Sequence, residues 1–225
     1  MLEPVVATFM TRSPVTVTDD TPFKLVACAL LASDAPAVPV LSGNRRPVGL
    51  ITESDLLVNL EYHGGIDPPP LLGGVAGRRR RRKSTALTAR ELMSSPVSTI
   101  GADAPIGVAA RSLTNPGAPP LCVVDDNLTL VGLLTRRDLI CAYRRPDVDI
   151  AADIDRAINS DRRRPARSPA ELTIQVDNGV VTLTGQLAYR SQVEHAIVAA
   201  SRIAGVVAVH STLVYDIDDL LVTGF

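Results

Sequence analysis

Aromatic residues are scarce in this chain: Phe, Trp and Tyr make up 3% of its 225 residues, and tryptophan is absent. With 46% apolar residues a packed core is within reach, but valine, alanine and leucine must fill it. Cysteine is also sparse. Cys28, Cys122 and Cys141 form no C-x-x-C pair, and their place in apolar runs leads us to expect buried thiols in a reducing compartment. Neither charge sign dominates, since 23 Lys and Arg against 24 Asp and Glu leave a net charge of −1. Binding of nucleic acid or anionic lipid would therefore need a local patch. The chain begins without a basic-then-apolar leader, and no apolar run approaches the ~20 residues that span a bilayer. The expected location is cytoplasmic, with association at a membrane surface left open. G-x-S-x-G, P-loop and G-x-G-x-x-G patterns are missing, and no cysteine has a histidine near it in sequence. His63, His195 and His210 show no metal-ligand spacing with one another or with the cysteines. No catalytic or metal residue is assigned, and the expectation is a non-enzymatic protein.

What the chain does contain is a duplication at an offset of 83 residues. It pairs Met10 with Met93, Asp20 with Asp103, Pro22 with Pro105 and Leu30 with Leu113, then Val48-Gly49-Leu50 with Val131-Gly132-Leu133, Thr52 with Thr135 and Asp55 with Asp138. One short slip sets Pro14 and Pro96 at 82. Duplicated units of this kind pack on one another, because each alone leaves an apolar face uncovered; two copies imply a pseudo-twofold pair.

Each copy reads as strand, helix, strand, strand, helix. In the first, Val15-Thr16-Val17 is a short β-prone run, Thr21 caps a helix that accepts Pro22 in its first turn, and that helix runs to Ser33 with Leu25, Val26, Ala29 and Leu30 on its buried face. Strands follow at Ala37 to Leu41 and Pro47 to Ile51, with a turn at Ser42 to Arg46, and a short helix opens at Thr52. The second copy repeats the order with Val97 to Ile100, Ala104 to Leu113, Leu121 to Val124, Leu130 to Leu134 and a helix from Thr135.

Between the copies, His63 to Thr85 holds Asp67-Pro68-Pro69-Pro70, paired glycines and the cationic run Arg78, Arg79, Arg80, Arg81, Arg82, Lys83. Consecutive prolines favour extended backbone and adjacent cations repel, so this reads as an exposed linker. The run is also a candidate contact for a polyanion or a membrane surface, although it lacks aromatics to stack on bases. Thr88 to Glu91 has the capping-box pattern and starts the second copy. Beyond Arg145-Pro146 the repeat stops. A helix around Ile150 to Ile158, alternating strands from Leu172, a turn at Asp177-Asn178-Gly179, a helix through Val193 to Ile203 and a last strand from Val206 to Val214 make a small α+β unit. Gly179 and Gly185 read as turn and bulge residues. Arg162, Arg163, Arg164 and Arg167 form a second basic stretch within it.

In both copies a strand with a glycine near its end leads into T-x-x-D at a helix start. That arrangement suits a nucleoside: free amides favour phosphate, threonine adds a hydroxyl, and the carboxylate accepts both ribose hydroxyls. It is equally the pattern of a capping box that closes the first turn.

On the M-x-x-x-P or M-x-x-P start, D-x-P or D-A-P before the first helix, and G-h-h-T-x-x-D at the end, both repeats resemble cystathionine β-synthase (CBS) domains, and the pair resembles the Bateman module. Residues 147–219, through the run Asp177 to Gly185 and Gly205 to Val209, resemble the BON domain, a family associated with phospholipid surfaces. The resemblance implies an α/β (α+β) fold, with β-α-β-β-α repeats at 1–61 and 88–146, a Pro/Gly/Arg-rich linker at 62–87, and an α-β-β-α-β BON-like domain. It further implies two clefts for adenine nucleotides or adenosyl ligands. Asp55 and Asp138 would hold ribose, and Thr52 and Thr135 would lie near sugar or phosphate. Base contacts would come from Val15, Thr16 and Ala37 in one cleft and from Ser98, Thr99 and Pro120 in the other. Arg136 and Arg137, which replace Glu53 and Ser54, would favour a more highly phosphorylated ligand beside Asp138. Asn115 to Pro120 depart from the family's usual short loop, and adjacent prolines remove amide donors there.

The reading that follows is a regulatory protein whose repeats bind AMP, ADP, ATP or S-adenosylmethionine, with no cofactor required, and control what the BON-like domain touches. The module would pair into a homodimer; protein or phospholipid would be partners of the BON-like domain, nucleic acid less so. The alternative is an interaction scaffold with ligand-free clefts that binds membrane, protein or nucleic acid through its basic stretches and BON-like domain.

Overall fold

The computed structural model describes residues 4–33, 36–66, 74–159 and 172–220. They fall into two compact units, Val5–Asp138 and a second that holds Leu139–Phe225.

In the first unit the chain runs β1 (Thr11–Arg12), β2 (Val17–Thr18), α1 (Phe23–Ala32), β3 (Ala37–Leu41), β4 (Pro47–Thr52), α2 (Glu53–His63), α3 (Gly74–Ser84), α4 (Ala89–Leu92), β5 (Thr99–Gly101), α5 (Ile106–Thr114), β6 (Leu121–Val124), β7 (Leu130–Leu134) and α6 (Arg136–Ile140). Each repeat builds the same sheet. β2 pairs parallel with β3 and β3 antiparallel with β4, while β5 pairs parallel with β6 and β6 antiparallel with β7. The parallel pair needs a crossover, supplied by α1 in one copy and α5 in the other. Detail repeats as well: the register shifts after Val40 and after Val123, and Arg45 and Leu128 both take left-handed backbone in the hairpin turns.

The copies exchange their leading segments. Val5 bridges Pro105 as Thr88 bridges Pro22, β1 pairs with β7, and Leu50 and Ser94 exchange backbone hydrogen bonds at 3.1 and 2.9 Å. Ala86, Ala89 and Leu92, which precede the second copy in sequence, accordingly belong to the first copy's core with Val26, Leu30, Val38, Val40 and Ile51. The glycines of the repeated motif make room for this exchange. A Cβ at Gly49 would lie 2.9 Å from Met93 Cβ and overlap its sulfur, and one at Gly132 would overlap the sulfur of Met10 and lie 3.0 Å from Thr11 O. Between the sheets, Ala37, Leu50, Cys122, Leu130 and Leu133 form a shared cluster.

Several expectations change. Pro22 is the extended cap residue of α1 and lies outside its first turn, with no side-chain cap; the Thr21 hydroxyl instead accepts the Thr18 amide at 3.1 Å. Leu25 and Cys28 lie on the solvent side of α1, because Val26 and Leu30 alone reach the core fully. Cys141 is exposed too, so burial holds only for Cys122. The largest correction is α3. Residues 74–84, expected as exposed linker, are helical, and Lys83 and Ser84 are buried. Asp67 to Pro70 lie outside the described residues.

The second unit consists of α7 (Asp147–Asn159), β8 (Leu172–Asp177), β9 (Val180–Tyr189), α8 (Arg190–Ser201) and β10 (Ala208–Ile217), in sheet order β10-β9-β8. β8 and β9 form the expected hairpin, with Asn178 and Gly179 at positive φ. Asp147 at the start of α7 accepts both turn amides, at 2.8 and 2.9 Å. Gly179 must be glycine, since a Cβ would lie 2.7 Å from Gly205 O. No bulge forms at Gly185, which pairs in register with Leu172 and Leu213. Ile150, Ile154 and Ile158 of α7 pack with Val181, Leu183, Ala196 and Ala200. Arg162 to Arg164 and Arg167 fall outside the described residues.

Candidate functional site

Each repeat ends its last strand at or next to a threonine and starts a helix that carries an acid in its first turn. In the first copy, Asp55 Oδ2 accepts the Thr52 amide at 2.8 Å and the Thr52 hydroxyl at 3.0 Å. In the second, Asp138 Oδ2 accepts the Thr135 amide at 2.7 Å and hydroxyl at 2.8 Å. T-x-x-D therefore does cap helices here, satisfying an amide that would otherwise lack a partner. That duty occupies one carboxylate oxygen, and what the second oxygen meets separates the two copies.

Asp55 Oδ1 is taken by Lys83, whose ammonium reaches over from α3, forms an ion pair and also donates to Ser94 Oγ at 2.8 Å. The two side chains are 5% and 12% exposed. Among the described residues no group donates to Asp138 Oδ1. The C-terminal half of α3 is held in place. Asn59 donates to Ser84 O at 3.0 Å, Arg80 pairs with Glu61, and Arg82 donates to the carbonyls of Glu91 and Met93 at 3.0 and 3.1 Å. The cationic run is thus divided by the helix: Lys83 points inward while Arg78, Arg79 and Arg81 remain exposed.

The strand registers bring some of the other candidates to the same ends of the sheets. Ala37, buried, lies opposite Thr52 in the β3–β4 ladder. The Ser98 carbonyl accepts the Cys122 amide at 3.0 Å, two residues beyond half-buried Pro120. Val15 and Thr16 precede β2 and are exposed, as are Ser98 and Thr99. Arg136 goes elsewhere. Its Nε and Nη2 donate to Leu113 O at 2.8 Å and Asn115 O at 2.9 Å, closing the C-terminal end of α5. Arg136, expected beside the ligand's phosphates, thus has these two nitrogens engaged by carbonyls, while Arg137 is exposed. Burial pushes the Cys122 thiol up to about 12, which leaves it protonated and inert at neutral pH.

Sequence reasoning named Lys83 only as a surface cation and missed its pairing with Asp55, as it missed Ser94 and the Met10–Gly132 and Met93–Gly49 contacts. The methionines carried a signal, being paired by the repeat alongside the glycines. Lys83 carried almost none, because a lysine closing an arginine run looks like one more solvated cation.

The described residues contain no cluster of three or more His, Cys, Asp or Glu fit to hold a metal, and none of their helices is long and apolar enough to cross a membrane.

Two interlocked β-α-β-β-α repeats, each with an acid capping the helix that follows its last strand, define a class of duplicated α+β modules. The CBS-domain family model matches residues 6–62 and 89–145, and the BON-domain model matches residues 146–216. The chain belongs to the CBS-domain family and carries a C-terminal BON domain. An uncharacterised protein of Methanopyrus kandleri is 27% identical over 104 residues, covering 46% of this chain. The match spans only 44% of that relative's own length. The crystal structure of CBSX2 in complex with AMP is 25% identical, with a TM-score of 0.53, covering 61% of this chain and 95% of that one. The CBS domain of a CBS-domain-containing membrane protein from Sphaerobacter thermophilus is 28% identical over 62% of this chain and 87% of that one, at a TM-score of 0.46.

Proposed function

We propose that this chain is a non-enzymatic regulatory protein whose CBS pair binds an adenine nucleotide at the Asp138 cleft. One observation carries the reading: Asp138 has one oxygen fixed by Thr135 and the other without a protein donor among the described residues. A carboxylate so oriented can accept a ribose diol. Ser98, Thr99 and Pro120 supply base contacts, Thr135 lies at the sugar, and Arg137 is the exposed cation for phosphate. Val15, Thr16, Ala37, Thr52 and Asp55 are the counterpart set in the first repeat. AMP in CBSX2 supports an adenylate; ADP, ATP and S-adenosylmethionine belong to the same ligand class and enter the test as competitors.

Binding alters packing within the pair and so changes what the BON domain touches, a protein or a phospholipid surface. Such coupling requires unequal affinity for the two arrangements. Exposed Leu25 and Leu31 on α1 with Leu57 and Leu60 on α2 support pairing into a homodimer, and the protein acts in the cytoplasm. Calorimetry of the full chain with AMP tests the site: Asp138→Ala is expected to weaken binding at least ~10-fold, the loss of a charged hydrogen-bond acceptor, with an unchanged circular dichroism spectrum. Equal affinity before and after removes Asp138 from the site.

A second reading, an interaction scaffold with empty clefts, draws on exposed Arg78, Arg79 and Arg81 on one helix. No thermal response to AMP, ADP, ATP or S-adenosylmethionine together with salt-sensitive pelleting on anionic vesicles would favour it.

A further inference from the structure

A lysine buried to 4% exposure is rare unless it is paired, and Lys83 belongs to a run whose other members face water. Its burial is not incidental to the fold of α3. The helix is tied to α2 by Asn59 and Glu61 and to the segment leading into the second repeat by Arg82. Those ties set Lys83 between Asp55 and Ser94. Asp55 then has Oδ2 committed to Thr52 and Oδ1 to an ammonium. A ribose approaching it would have to break a buried ion pair and could not do so without stranding the lysine.

We propose that Lys83 is a built-in occupant of the first cleft, taking the carboxylate that a ribose needs there, so that the pair holds one nucleotide per chain, at Asp138. This inference rests on the nucleotide reading for its ligand, but the occlusion itself is a property of Lys83 and Asp55. It makes two clefts that share the T-x-x-D motif unequal in function. It also gives α3 a role apart from that of a tether: it withholds one site.

Two measurements test it. In the first, AMP is titrated into the full chain. The wild type is expected to bind one AMP per chain, Lys83→Ala and Lys83→Met two, and Lys83→Ala combined with Asp55→Ala one again. The methionine variant keeps the packing of the lysine stem if alanine loosens α3. Two sites in the wild type, or one in both lysine variants, overturns the proposal. The second measurement needs no nucleotide. Lys24 and Lys83 are the only lysines in the sequence, and Lys24 is exposed, so amine acylation followed by mass spectrometry carries its own control. Lys83 is expected to react at least ~10-fold more slowly than Lys24, since reaction requires local opening. Equal rates overturn the occlusion whatever AMP does. If the wild type binds no AMP while Lys83 is protected, the nucleotide reading at Asp138 fails and the occupied first cleft stands.

Discussion

The two repeats share strand order, register shift, turn conformation and helix cap, yet their carboxylates meet different surroundings. Asp55 is closed in by a lysine from the segment joining the copies, and Asp138 has an oxygen to which none of the described residues donates. Symmetry arising from duplication therefore extends to everything built from residues within the repeat and stops where an unrepeated segment folds back. α3 has no counterpart in the repeat, so what it touches is not duplicated. Divergence of the two clefts needed no change in T-x-x-D itself.

The sharpest way to break this comparison is to make the same substitution in both copies. Asp55→Ala leaves a buried ammonium unpaired and is expected to cost about 3–5 kcal/mol, whereas Asp138→Ala removes only a cap, about 1 kcal/mol. Urea denaturation of both variants measures the gap; equal costs would mean that Lys83 is solvated in solution.

The interlock predicts the opposite, a matched pair. Gly49→Val and Gly132→Val each drive a side chain into the methionine of the other copy's leading segment, and both are expected to destabilise by about 1–3 kcal/mol. If only one did so in thermal melts, the exchange of segments would be less symmetric than the bridges Val5–Pro105 and Pro22–Thr88 indicate.

The smallest effect lies in the second compact unit and serves as a control outside the comparison. Asp219 accepts the Ser191 hydroxyl, and the Ser191 amide at 3.0 Å, bonds that hold its carboxyl below the usual range. A carboxyl lowered on folding adds stability above its unfolded pKa of about 3.9 and loses it as pH falls through the lower folded value. Asp219→Asn should thus be less stable than the wild type at neutral pH, with the difference shrinking below about pH 4. A difference that persists unchanged into acid would assign the contribution to something other than ionisation.

Much of the fold was legible beforehand, and for a definite reason. The offset of 83 residues aligned Val48-Gly49-Leu50 with Val131-Gly132-Leu133, and the alternation from Leu172 with the Asn178-Gly179 turn marked the BON hairpin. These are local signals: strand and helix period, turn chemistry and repetition are written in neighbouring residues. Where local signals conflicted, reading failed. Two glycines and a block of arginines argued for coil over 74–84, but docking on α2 and on the carbonyls of Glu91 and Met93 outweighed repulsion among the cations. α1 has apolar residues on nearly every side, so sequence could not say that Leu25 and Cys28 would face out.

The sequence by itself determined the repeat, the order of its strands and helices, the two T-x-x-D caps and the membership of the CBS-domain family, because each depends on residues a few positions apart or on one copy compared with the other. Only the tertiary structure decided which leading segment packs on which repeat, where Arg136 points, and that Lys83 sits on Asp55. Those contacts join residues 20 or more positions apart, and their partners are chosen by which buried charges and carbonyls the packed chain leaves to be satisfied.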